Sequence, residues 1–134
     1  MLRDIAEKYY GQNYNCAETI IRAGNDYYEL GLHDRDMKMM AAYGGGIQTG
    51  NTCGAILSAA AILSMKYVEA KAHESKEIKP VTVLMIRKIN AKYGHVECKY
   101  IKPQSWKPEC GCLVTISNVC DILEETIKEY DDLL

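Results

Sequence analysis

Apolar residues recur along this chain at the three-and-four spacing of helix faces, broken by glycines and polar turns. Leu2 to Tyr9 reads as a short amphipathic helix ended by Gly11. Asn13 or Asn15 can cap a second helix running to about Leu30, with Gly31 at its stop. In that helix Cys16, Thr19, Ile20 and Ala23 share one face, which puts Cys16 in the first turn. Asp34 can cap a third helix through Met37, Met40, Ala41 and Tyr43. The run Gly44 to Gly50 follows, and then Asn51 or Thr52 can cap the most apolar helix, Cys53 to about Ala70. Its small residues Ala55, Ser58, Ala59, Ala60 and Ala61 permit close approach by neighbours and mark it as central.

Farther on, Glu74 to Lys79 reads as a turn, and Pro80 suits the first turn of a helix. Val83, Leu84, Ile86 and Ile89 continue that helix to Tyr93, with Gly94 as its stop. Cys98 follows four residues after that stop, and the loop from Lys102 to Pro108 is the least regular stretch. A last helix runs from about Cys112 to Tyr130, with Val119, Ile122, Leu123 and Ile127 apolar. The expectation is an all-α fold: one helical domain over residues 1–134, a compact bundle of five or six helices, with a Gly-rich loop before the central helix.

Composition narrows the functions. A chain of 134 residues hides roughly two-thirds of its unfolded surface on folding, enough for a core without disulfide staples. Sixteen basic against eighteen acidic residues give a net charge of -2. The charges are interspersed, with no basic block to call for nucleic acid. The longest apolar stretch, Ala55 to Met65, falls short of the about 20 residues a bilayer requires. Met1 is followed by Arg3, Asp4, Glu7 and Lys8 and not by an apolar leader, so a cytoplasmic protein without membrane insertion is expected.

Six cysteines change the picture. In a reducing compartment they serve more often as metal ligands or redox groups than as structural staples. Cys120, within an apolar helical stripe, reads as a small buried hydrophobe. Cys53 stands where the Gly44–Gly50 loop opens onto a helix N-terminus, where free N–H groups and the helix dipole favour a thiolate and a lowered pKa. Gly44, Gly45, Gly46, Gly50 and Gly54 let the backbone approach a bound group closely. The loop lacks the lysine and preceding strand of a phosphate-binding loop. Cys16 and Cys112 also lie at helix starts, an arrangement that makes sense if several dipole ends converge on one anionic site.

Cys110 and Cys112 form a C-x-C pair with Cys98 close before it, a spacing that is neither a zinc ribbon nor a thioredoxin-like site. His95, three residues before Cys98, reads as solvent-facing in preference to a ligand, and His33 and His73 as surface residues. The methionines Met37, Met39, Met40, Met65 and Met85 read as core filling.

These residues carry a resemblance. Asn15-Cys16-Ala17, then Gly50-Asn51-Thr52-Cys53-Gly54-Ala55 after a triple glycine, then Cys98 and Cys112-Leu113-Val114, resemble the C_GCAxxG_C_C family of redox-active proteins. The likeness spans about Asn13 to Leu123, and the four family cysteines fall on Cys16, Cys53, Cys98 and Cys112. Ser58 stands where the motif has its last glycine, and Cys110 and Cys120 are additional. The resemblance implies a small bacterial or archaeal helical protein, redox-active and linked to transporter genes.

Three functions follow. The first is reversible thiol/disulfide chemistry centred on Cys53, resolved by Cys16, Cys98 or Cys112 and serving an unidentified redox partner. The second uses Cys16, Cys53, Cys98 and Cys112 as ligands for zinc or an iron–sulfur cluster. The third is a non-catalytic interaction module. Small-residue helix faces are compatible with a homodimer.

Overall fold

Seven α-helices and no β-strand follow one another along the chain in the computed structural model, which describes all of Met1–Leu134. They are α1 (Leu2–Tyr10), α2 (Cys16–Tyr28), α3 (Asp34–Met37), α4 (Gly54–Tyr67), α5 (Ile78–Tyr93), α6 (Cys98–Ser105) and α7 (Leu113–Leu133). The all-α expectation holds; the count of five or six does not. The helix missed in the sequence is α6, read there as irregular because Pro103 lies inside it. A proline near the end of so short a helix removes a single backbone bond. Buried Ile101 and the backbone bonds from Tyr100 and Ile101 N–H to the Glu97 carbonyl hold the turn.

Two helix starts are set locally. Asn15 caps α2 through a full capping box: its side chain accepts from the Glu18 N–H while Glu18 accepts from the Asn15 N–H. The end of α2 differs from the sequence reading. Glu29 itself turns left-handed (φ 52°), ahead of Gly31, and the Asn25 side chain ties that turn to both backbone groups of Leu32. The third helix is one turn of α-helix that tightens into a 3-10 segment, Lys38–Tyr43.

The core is a single cluster of 25 buried apolar residues drawn from all the larger helices. α4 sits against α2, α5 and α7, and α1 lies across α2 and α7. On α5 the core face is Val81, Met85, Ile89 and Tyr93, a strict four-residue ridge. Val83, by contrast, is exposed. The Met37, Met40 and Met85 side chains are in the core, whereas Met39 and Met65 are exposed. No helix is long and apolar enough to cross a membrane.

The most extensive helix–helix contact is made by α2 and α4. Ser58, fully buried on α4, donates to the Ala17 carbonyl of α2 at 2.7 Å. A serine can occupy this small-residue position because the neighbouring backbone offers its hydroxyl an acceptor. The C-terminal face of α4 is apolar where it meets the core, with Ile62 and Leu63 fully buried.

Candidate functional site

Four helix N-termini point at one place. Cys16 is the first residue of α2, Cys53 the N-cap of α4, Cys98 the first residue of α6 and Cys112 the N-cap of α7. All four cysteines, with Gly45, Ile101, Lys102 and Thr115, line one small cavity of about 50 Å³. The convergence expected of Cys16, Cys53 and Cys112 is present, and Cys98 joins them because it too opens a helix.

Backbone pairing sets the register of two of them. Thr52 and Glu97 form an isolated antiparallel bridge, flanked by bonds from the Cys53 N–H to the Val96 carbonyl (2.8 Å) and from the Cys98 N–H to the Asn51 carbonyl (2.6 Å). Cys53 and Cys98 therefore come from adjoining strands of chain although 45 residues separate them in sequence. The start of α7 is held by a second bridge, Lys107 to Gly111, and by the Tyr10 hydroxyl, which accepts from the Cys112 N–H at 3.0 Å.

Two glycines are required by contact. A Cβ on Gly54 would lie 2.8 Å from Cys16 Sγ and 2.5 Å from the Tyr43 carbonyl oxygen, so only glycine lets α4 begin this close to α2. Gly46, at φ +66°, packs against the Asn51 backbone and Cys98 Cβ. The other expected loop glycines are placed differently from one another. Gly44 abuts the Asn15 side chain, Gly50 lies beside Lys99, and Gly45 alone lines the cavity. The loop is more ordered than a plain turn: Gly46–Gly50 closes a wide helical turn in which Ile47 and Gln48 also take positive φ.

The electrostatics reverse one expectation. Cys53 is 5% exposed, and burial pushes its thiol up to about 12; the nearby Cys16 adds to the rise. The backbone N–H groups of Ile56 and Ala55 do favour the thiolate, as the helix start predicts, but desolvation outweighs them. Burial likewise raises the Cys16 thiol, against the pull of the Gly45 N–H. Cys112 is also raised by burial and by Cys16, but the Lys102 ammonium works in the opposite direction. Lys102 is the single charged residue lining the cavity. Its presence at the site went unseen in the sequence, where it fell in the stretch read as irregular.

A larger, open cleft of about 640 Å³ meets the cavity and shares Cys16, Gly45, Lys102 and Cys112 with it. Cys110 lines this outer cleft, with Tyr10, Tyr14 and Trp106 among its walls. Cys120 lies fully buried on α7 away from both spaces, as its apolar stripe predicts. His95 is exposed and stacks on Tyr100, with ring centroids 4.4 Å apart. His33 and His73 are exposed. All six cysteines are free thiols, and no three His, Cys, Asp or Glu side chains stand close enough together to hold a single metal ion.

The family model described as "Putative redox-active protein (C_GCAxxG_C_C)" matches residues 14–126, and the chain belongs to that family. The match spans all four cavity cysteines. Neither a curated protein nor a solved structure matches the chain.

Proposed function

We propose that this redox-family protein works through reversible dithiol/disulfide chemistry within the four-cysteine cavity. The supporting observation is that Cys16, Cys53, Cys98 and Cys112, from four separate helix starts, line one small space. Oxidation removes two electrons and two protons from a pair of these thiols and forms one S–S bond. The electrons pass to an acceptor reached through the outer cleft. Cys53, named from sequence as the centre of reactivity, takes the part of an interior partner here, since burial keeps its thiol protonated. Cys112 and Cys16, which face both spaces, carry the exchange with the outside.

The test is controlled oxidation of the fully reduced, anaerobically purified chain with diamide, followed by alkylation in denaturant and mass mapping. Thiols should disappear in pairs drawn from Cys16, Cys53, Cys98 and Cys112, while Cys120 stays free. Disulfides found only between chains, or an internal bond that uses Cys120, would remove the proposal's basis.

A second reading has its own observation. Four thiols at four positive helix ends suit an anionic metal centre, and four cysteine ligands are the donor set of zinc or an iron–sulfur cluster. Cys16, Cys53, Cys98 and Cys112 would be its ligands. Iron and acid-labile sulfide in stoichiometric amounts, with four thiols protected from alkylation, would replace the first reading by this one. Metal-free protein with six reactive thiols after unfolding would eliminate it.

A further inference from the structure

The outer cleft has the size of a ligand site, within the range of about 300–1,000 Å³ that small-molecule pockets occupy. Its floor is the wall it shares with the cysteine cavity, where Lys102, Cys16 and Cys112 stand. Its sides carry the rings of Tyr10, Tyr14 and Trp106, and its two acids, Glu7 and Glu109, belong to the outer cleft alone. A cation beside the thiols with acids farther out suits a ligand bearing both charges. Resting on the dithiol reading, we propose that this cleft receives a low-molecular-weight disulfide of amino-acid or short-peptide type, and that Cys112 is the thiol that attacks it.

The ligand's carboxylate pairs with Lys102, its ammonium with Glu7 or Glu109, and its chain lies along the aromatic rings. Cys112 is selected over the other cavity thiols by access and by charge. Cys53 and Cys98 line the inner cavity alone, and Lys102 favours the thiolate of Cys112. The Cys112 thiolate bonds to one sulfur of the ligand, the ligand's S–S bond breaks, and the departing thiolate takes a proton from solvent. Cys16, at the same wall, then attacks Cys112 Sγ and expels the second ligand thiol. The ligand gains two electrons and the protein holds a Cys16–Cys112 disulfide.

Four probes separate the terms: oxidised glutathione (both charges), cystamine (cationic), dithiodiglycolate (anionic) and hydroxyethyl disulfide (neutral). Each rate with reduced protein is divided by that probe's rate with a free model thiol, and the acid-quenched adducts are mapped by mass. Glutathione disulfide should lead the other three by about fivefold or more, with the adduct on Cys112. Lys102→Ala should abolish the lead and Lys102→Arg restore it. Four equal normalised rates, or an adduct confined to Cys110, overturns the proposal. If diamide closes cavity disulfides but no probe labels Cys112, the cleft proposal fails and the dithiol reading stands. If diamide closes none, both fail.

Discussion

A thiol's reactivity at neutral pH depends on its thiolate fraction, and in this chain burial and helix ends act on that fraction in opposite directions. Desolvation wins at Cys53, so its alkylation at pH 7 should be slower than that of Cys112. Its rate should climb about tenfold per pH unit above neutrality, because only the thiolate reacts. Iodoacetamide labelling followed by peptide mapping checks this, and a Cys53 that labels first would refute it. Gly54 makes a second prediction at the same scale. Gly54→Ala drives a methyl group into Cys16 Sγ and the Tyr43 carbonyl, and overpacking of this kind costs about 1–3 kcal/mol. Urea unfolding should show that loss, accompanied by altered labelling of Cys16. Both effects escape sequence reading, because neither burial depth nor the Cys16–Gly54 contact is encoded locally.

Among the elements, α2 was the most legible in sequence. The Asn15 cap, its Glu18 partner and the face holding Thr19, Ile20 and Ala23 all lie within a few residues of one another. Asn15→Ala removes the cap bond and the tie from Asn15 Nδ2 to the Ala41 carbonyl, and should cost about 1 kcal/mol or somewhat more. A midpoint in urea unchanged from the parent would show the cap to be redundant. α5 was legible in extent but not in face: of the apolar residues that mark it in sequence, Ile89 is buried and Ile86 packs against the edge of the core, while Val83 is exposed. The ridge of Val81, Met85 and Ile89 is chosen by where α4 and α7 lie. α6 was missed because a proline and a run of polar residues hide it. What stabilises it is Ile101 in the core and the pairing of Cys98 with Asn51, both long-range.

For the whole molecule, alkaline pH is the informative variable. Burial pushes the thiols of Cys53 and Cys120 up to about 12 in the native state, from an ordinary 9.0. Below pH 9 both states keep these protons and the full stability is present. Between 9 and 12 the unfolded chain loses them while the native chain does not, so stability falls as pH rises. Tyr9, raised to about 12 chiefly by its hydrogen bond to Asp26, acts with the same sign. Under reducing conditions the urea midpoint should fall steadily between pH 8 and 10.5. Cys120→Ala, less stable at pH 8, should lose a smaller further amount over that range. A midpoint constant across the range would contradict the burial of these thiols.

What the sequence alone determined is what short-range chemistry determines: helices from spacing, the α2 cap, the Gly94 stop, and membership of the family through cysteine order. It also placed Cys16, Cys53 and Cys112 at helix starts, since a cap and its helix are neighbours in the chain. The tertiary structure alone decided that four helix starts meet at one cavity, that Lys102 is the cation beside it, and that an open cleft reaches Cys112 but not Cys53. It also decided that burial overrides the helix dipole at Cys53. Desolvation and convergence depend on residues dozens of positions apart, and such terms exist only once the chain has packed.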